Sequence, residues 1–265
     1  MSNEIVLLTF ADKKNRIARI TLNRPQARNA LSQDMLAALK QAITDVNAID
    51  SVRAVVIDAN GPGFCAGHDL KEMTVHRQDD DEGRAYYQQL FAVCSDFMLA
   101  IVKSPKIFIA QIDGIATAAG CQMVAACDMA IASEKARFGV NGISSGLFCS
   151  TPMVSLSRNA GRKRAMELLT TGALMSAQEA LSAEIINRVV SADDLSDAVL
   201  TMAQAVAAKP AKVLALGKQA FYAQLEMPLV DAYEHTSKII TENMMMDDAK
   251  EGICAFIEKR QPNWD

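Results

Sequence analysis

One stretch concentrates residue types that do chemistry. Residues 61–70, Gly61-Pro62-Gly63-Phe64-Cys65-Ala66-Gly67-His68-Asp69-Leu70, follow a short β-branched run. They combine a glycine-rich turn with a histidine and a carboxylate. A strand running into a glycine loop is the grammar of a phosphate cradle. Here that grammar fails. Ala66 stands where the third glycine of G-x-G-x-x-G belongs, Gly67 comes one residue late, Pro62 sits inside the turn, and no Gly-Lys-Ser/Thr follows. His68 remains as a side chain that titrates near neutral pH or hydrogen-bonds in either direction. A second stretch of small residues, 116–120, leads into Cys121 and Gln122. Cys149 lies beside Ser150 and Thr151. As a nucleophile it would need an activating base, and the sequence places none, so a structural or pocket-lining role is expected.

The other thiols and imidazoles point away from metal chemistry. Cys65, Cys94, Cys121, Cys127, Cys149 and Cys254 form no C-x-x-C pair, and His68, His76 and His235 form no H-x-x-x-H pair. Neither a zinc site nor a disulfide framework is expected, and the thiols read as reduced. The chain has 265 residues, half of them hydrophobic, with a net charge of −4. A binder of nucleic acid would need a basic excess or patch, and none is present. No uncharged apolar run approaches a bilayer span. Residues 1–6 show no leader-like order of basic, apolar and small residues. The expectation is a cytoplasmic protein with no membrane or nucleic-acid partner.

The elements that must position these residues alternate in period. Residues 5–10 and 16–22 read as two strands around a polar turn, a hairpin. Ser32 opens an amphipathic helix with Met35, Leu36, Leu39, Ile43, Val46 and Ile49 on one face. Residues 52–57 suit a strand buried on both faces, and 61–70 read as loop. Tyr87, Leu90, Phe91, Cys94, Met98 and Ile101 form another helical stripe. Residues 107–112 and 129–132 are further buried strands, with an apolar helix from about 121 to 127 between them. Pro152 fits the first turn of a helix capped by Ser150 or Thr151. Ser176 with Glu179 is a capping-box pattern, as is Ser191 with Asp194. From residue 195 the pattern is helical almost to the end, broken near Pro210 and Pro228. This reads as an α/β core over residues 1–195 and a helical C-terminal segment over 196–265.

Read as A-N-G-P-G-F-C-A-G-H-D-L-K-E-M, the first loop closely resembles the crotonase (enoyl-CoA hydratase/isomerase) superfamily. Leu22-Asn23-Arg24-Pro25 with Asn29-Ala30-Leu31 resembles its N-terminal signature, and residues 113–128 its second signature. Thr171-Gly172 through Ser176-Ala177 and the tail from Glu251-Gly252 to Arg260 also match, in order. The resemblance implies the ClpP/crotonase fold, an α/β spiral of ββα units with a helical C-terminal segment that drives trimerisation. It implies an acyl-CoA thioester as substrate, with coenzyme A part of that substrate and no separate cofactor. The assembly would be a homotrimer or dimer of trimers. Two backbone N–H groups would hold the thioester oxygen, and by motif position these are His68 and Ala119. Ala66, Asp69, Leu70, Lys71, Gly142 and Cys149 would line the substrate site. Lys71, Phe256 and Lys259 would help hold the CoA nucleotide, the latter two in some members from a neighbouring subunit. Asp128 resembles a structural aspartate rather than a catalytic one.

Two departures from the family pattern bear on chemistry. Hydratases carry two glutamates that handle water, and the corresponding positions here are Gln122 and Gly142. An amide and a missing side chain cannot exchange a proton at neutral pH. Efficient water addition is therefore not expected. His68 resembles the methylmalonyl-CoA decarboxylase branch, so decarboxylase or thioesterase chemistry, or acyl-CoA binding without turnover, stands beside residual hydratase or isomerase activity.

Overall fold

The computed structural model describes residues 4–264. β1 (Val6–Phe10) and β2 (Ile17–Leu22) form the antiparallel hairpin read from the sequence. α1 (Gln33–Asn47) follows, with Ser32 Oγ accepting from the Met35 N–H. Three turns of one plan come next: a longer strand, a short strand, then helix. The first holds β3 (Ala54–Ala59), β4 (Gly63–Cys65), α2 (Leu70–Val75) and α3 (Arg84–Lys103). The second holds β5 (Ile107–Ile112), β6 (Ile115–Thr117) and α4 (Ala119–Ala126). The third holds β7 (Met129–Ser133), β8 (Arg137–Gly139), α5 (Pro152–Asn159) and α6 (Arg162–Thr171). β9 (Met175–Ser176), α7 (Ala177–Ser182) and β10 (Arg188–Val190) close the spiral. The helices α8 (Leu195–Ala207), α9 (Ala211–Gln224), α10 (Leu229–Met245) and α11 (Asp247–Glu258) end the chain.

The longer strands, with the three-residue β10 at one edge, make one sheet in the order β1-β2-β3-β5-β7-β10, parallel except for the first pair. The short strands make a second, β4-β6-β8-β9. The fold is the expected ββα spiral. The 61–70 segment departs from its reading as loop, because Phe64 and Cys65 are fully buried in β4 and pair with β6. Three residues are too few to show a period-2 pattern.

Apolar faces set the layers. α1, α3 and α4 bury Leu36, Leu39, Leu90, Phe97 and Met123 in a core shared with both sheets. α8 covers the other side of the large sheet through Leu195, Val199 and Ala203 against Ile17, Val56 and Ile109. The buried stripe of α3 runs through Tyr86 and Phe97 rather than Tyr87 and Phe91. Phe91 is 37% exposed and turns toward His68. By length and composition α3 could span a bilayer, but its buried face belongs to this core. Ser176 and Glu179 form the capping box at α7. Neither expected cap forms: Thr151 precedes Pro152 without a side-chain cap bond, and Ser150 Oγ donates to the Phe148 carbonyl.

Candidate active site

Two loops meet where the short strands end. After β4 the chain turns at Gly67, whose φ of +89° suits glycine. Leu31 N–H donates to the Gly67 carbonyl and Asp69 N–H to the Leu31 carbonyl, at 2.8 and 3.2 Å, fixing this turn against the chain entering α1. After β6 the chain turns at Ala118, with φ +49° and ψ −120°, a conformation that strains a residue with a Cβ. Ala118 N–H donates to the Gly139 carbonyl at 2.8 Å, and Thr117 Oγ1 to the Ala66 carbonyl at 3.2 Å. The loops touch. A methyl on Gly67 would lie 3.4 Å from the Ala119 nitrogen and 2.8 Å from the Ala118 Cβ. Gly120 lies so close to Cys65 that any side chain there would strike the Cys65 carbonyl oxygen.

This geometry brings the His68 and Ala119 amides to adjoining turns. Among the described residues neither N–H donates to a protein acceptor. Ala119 is the first residue of α4, where backbone N–H groups lack helical partners and the helix dipole is positive. Unengaged N–H groups of this kind can donate to an anion or a polarised carbonyl oxygen.

The side chains around it are neutral. Both ring nitrogens of His68 are buried without a hydrogen-bond partner among the described residues. Burial lowers the imidazole pKa, with a contact to the Leu31 backbone opposing, and the net effect favours the uncharged form. Phe91 packs edge-on against the ring, centroids 5.3 Å apart. Gln122 lies one turn into α4, 4% exposed, with Oε1 buried and unpartnered. Gly142 sits in the 3-10 turn Asn141–Ser145 after β8. Cys149 folds back on it, and a methyl on Gly142 would lie 2.8 Å from Cys149 Sγ. Burial pushes the Cys149 thiol up, with a Gly142 backbone contact opposing, so it is not an activated thiolate. The buried Cys65 and Cys121 thiols are pushed up to about 12.

The remaining sequence candidates divide. Ala66 belongs to the first loop, its carbonyl held by Thr117. The Asp69 carboxylate accepts from the Lys71 and Glu72 N–H groups at the start of α2 and from Arg24 Nη1 at 2.8 Å. Burial raises its pKa, but Arg24 and those amides prevail and hold it below the usual carboxylate range. Leu70, 56% exposed, and Lys71 lie on the outside of α2. Phe256, 85% exposed, and Lys259 lie at the end of α11. Among the described residues no hydrogen bond or ion pair joins Phe256 or Lys259 to the two loops. No group of three or more His, Cys, Asp or Glu is placed to hold a metal among the described residues. Sequence reasoning missed Phe91 as a site residue because it fitted a helical stripe, and missed the strain at Ala118 because alanine carries no turn signal.

The fold is a ββα spiral in which two touching turns each leave a backbone N–H without a protein acceptor among the described residues. The chain belongs to the enoyl-CoA hydratase/isomerase family, whose sequence profile matches residues 12–265. It is 42% identical over 257 residues to the mouse (Mus musculus) enoyl-CoA hydratase domain-containing protein 3, mitochondrial, covering 97% of this chain and 84% of that protein. Its fold superposes on a crystal structure of an enoyl-CoA hydratase from Mycobacterium smegmatis with TM-score 0.93, at 48% identity over 99% of both chains. The human enoyl-CoA hydratase domain-containing protein 3 superposes with TM-score 0.92, at 40% identity over 98% of this chain and 100% of that one.

Proposed function

We propose that this chain is an acyl-CoA enzyme that holds a thioester oxygen between the His68 and Ala119 amides and stabilises the enolate formed there. The observation that carries this reading is the pair of unengaged N–H groups on two touching turns. Fixed donors meet developing charge without reorganising, and the α4 dipole adds to them. Coenzyme A enters as part of the substrate, and no separate cofactor is called for. With Gln122 and Gly142 at the positions of the family's glutamates, hydration of an enoyl thioester is slow, and chemistry needing little acid–base help is favoured. A second reading, acyl-CoA binding without turnover, is favoured by the crowding that denies position 142 a side chain.

Ala119→Pro tests the cradle. Proline removes that N–H at the first helical position, where no helix bond is lost. Thioester turnover should fall roughly 10²–10³-fold with CoA binding retained. An unchanged rate in a folded variant contradicts the cradle, and CoA binding with no turnover on any thioester selects the second reading. The assembly we propose is a homotrimer or dimer of trimers, supported by exposed apolar side chains on the last helices, among them Phe221, Leu229, Ile240 and Ile257. Light scattering that finds a concentration-independent monomer contradicts it.

A further inference from the structure

The chain entering α1 is zipped onto the first of the two loops. Ala66 N–H donates to the Arg28 carbonyl at 3.1 Å, Leu31 N–H to the Gly67 carbonyl at 2.8 Å, and Asp69 N–H to the Leu31 carbonyl at 3.2 Å. The last two bonds make a parallel bridge between Leu31 and His68. In such a bridge one strand bonds through the residues on either side of its central one, whose own N–H points to the opposite edge. The His68 N–H is thereby turned away from Leu31, and its direction follows from where residues 28–31 stand.

One side chain holds those residues. Arg28 and Asn29 both take positive φ, +50° and +53°, so the chain kinks sharply there. Two left-handed residues in a row cost backbone energy, which asparagine tolerates better than most. Asn29 is wholly buried. Its Oδ1 accepts from the Arg24 N–H at 2.8 Å, and its Nδ2 donates to the Asn60 and Gly63 carbonyls at 3.0 and 2.9 Å. Both amide hydrogens are used. The kink is thus tied to the turn that starts β4, the strand leading to His68. Pro25 packs so closely on this turn that a methyl on Gly61 would strike its ring.

We propose that Asn29 is a positioning residue, aiming the His68 amide by locking residues 28–31 to the turn ahead of β4. The inference rests on the reading of the His68 and Ala119 amides as donors to a thioester oxygen. Asn29 acts through the Leu31–His68 bridge. Without its amide two buried carbonyls lose their donor and the kink relaxes. A donor misplaced by about 1 Å can cost about 10²-fold in rate.

The test is binding of 2,4-hexadienoyl-CoA to the intact protein. This conjugated thioester absorbs at longer wavelength as its carbonyl is polarised, so the band reports donor alignment separately from affinity. The wild type should bind it and shift the band to the red. Asn29→Gly keeps the left-handed backbone accessible and removes the clamp. It should lose most of the red shift, with affinity within about fivefold of the wild type. On any thioester that is turned over, kcat should fall about 10- to 100-fold with KM little changed. Asn29→Asp keeps the volume and the Arg24 bond but loses both donors, and should show the same loss. Val199→Ala, in the α8 core, should lower Tm and keep the full shift. A full red shift in either folded Asn29 variant overturns the positioning role alone, as does an equal loss in Val199→Ala. A wild type that fails to bind the thioester or to shift its band overturns the reading of the two amides, and this inference with it.

Discussion

A methyl on Gly142 would lie 2.8 Å from the sulfur of Cys149 and 2.6 Å from the Leu147 carbonyl oxygen. The sulfur could swing aside, but the carbonyl is backbone, held where Leu147 N–H donates to the Gly142 carbonyl. The position is closed as well as empty. Gly142→Ala should therefore lower stability by about 1–3 kcal/mol, read as a drop in Tm. Gln122 is different, because Glu has its shape. Burial would raise that carboxyl's pKa into a range useful for proton transfer. Gln122→Glu alone should raise crotonyl-CoA hydration, since a placed acid or base is typically worth about 10²–10⁴. Adding Gly142→Glu should lower both rate and Tm. A double variant faster than Gln122→Glu and equally stable would show that the turn opens freely.

The Gly67 and Ala118 turns are coupled through one contact. Gly67→Ala forces a Cβ onto a backbone with φ +89° and to within 2.8 Å of the Ala118 Cβ. The loops must part, displacing the Ala119 amide, so thioester turnover should fall more steeply than stability. Ala118→Gly removes the opposing methyl and should restore part of the loss. Double-mutant analysis should give a coupling of about 0.5–3 kcal/mol in the rescuing direction. Additive effects would mean that the turns do not set each other's geometry.

Much of this architecture is legible in the sequence because long elements carry their period. The hairpin, the Ser32 cap, the buried strands and the helical tail all follow from patterning in the large sheet and its helices. The small sheet is not legible, since β4, β6 and β8 have three residues each, too few to carry a period; β4 reads as part of a glycine loop and β6 as the edge of a stretch of small residues. The site's backbone donors were reached through motif resemblance rather than side-chain chemistry, because an N–H looks alike at every position. The crowding at Gly142 depends on Leu147 and Cys149 folding back, a tertiary contact with no local signal.

Cys149 offers a check on covalent chemistry. Its thiol is buried, its pKa is raised, and Gly142 is its close neighbour. Thiolate, not thiol, attacks a thioester. Cys149→Ala should keep turnover within a few-fold, because no acyl-enzyme forms there. A loss of several hundredfold, or an acyl group found on Cys149 by mass spectrometry after a stalled reaction, would reverse that assignment.

Asp128 anchors the C-terminal helices to the sheet. Its Oδ2 accepts from the Phe108 N–H and from Lys218 Nζ, both at 2.7 Å, and its Oδ1 accepts from the Tyr222 hydroxyl at 2.9 Å. Lys218 comes from α9, is 6% exposed, and also donates to the Ile101 and Lys106 carbonyls. Its charge further sits 5.2 Å from the Phe108 ring centroid. Every donor of the ammonium is used, so the pair is structural. Lys218→Met leaves a buried carboxylate without its counter-charge and should cost about 3–5 kcal/mol, with α9 losing hydrogen-exchange protection before the β-sheets. Asp128→Asn added to Lys218→Met removes the stranded charge and should recover part of that loss. Should the double variant be less stable than Lys218→Met alone, Asp128 must hold its place through Phe108 and Tyr222 rather than through the ion pair.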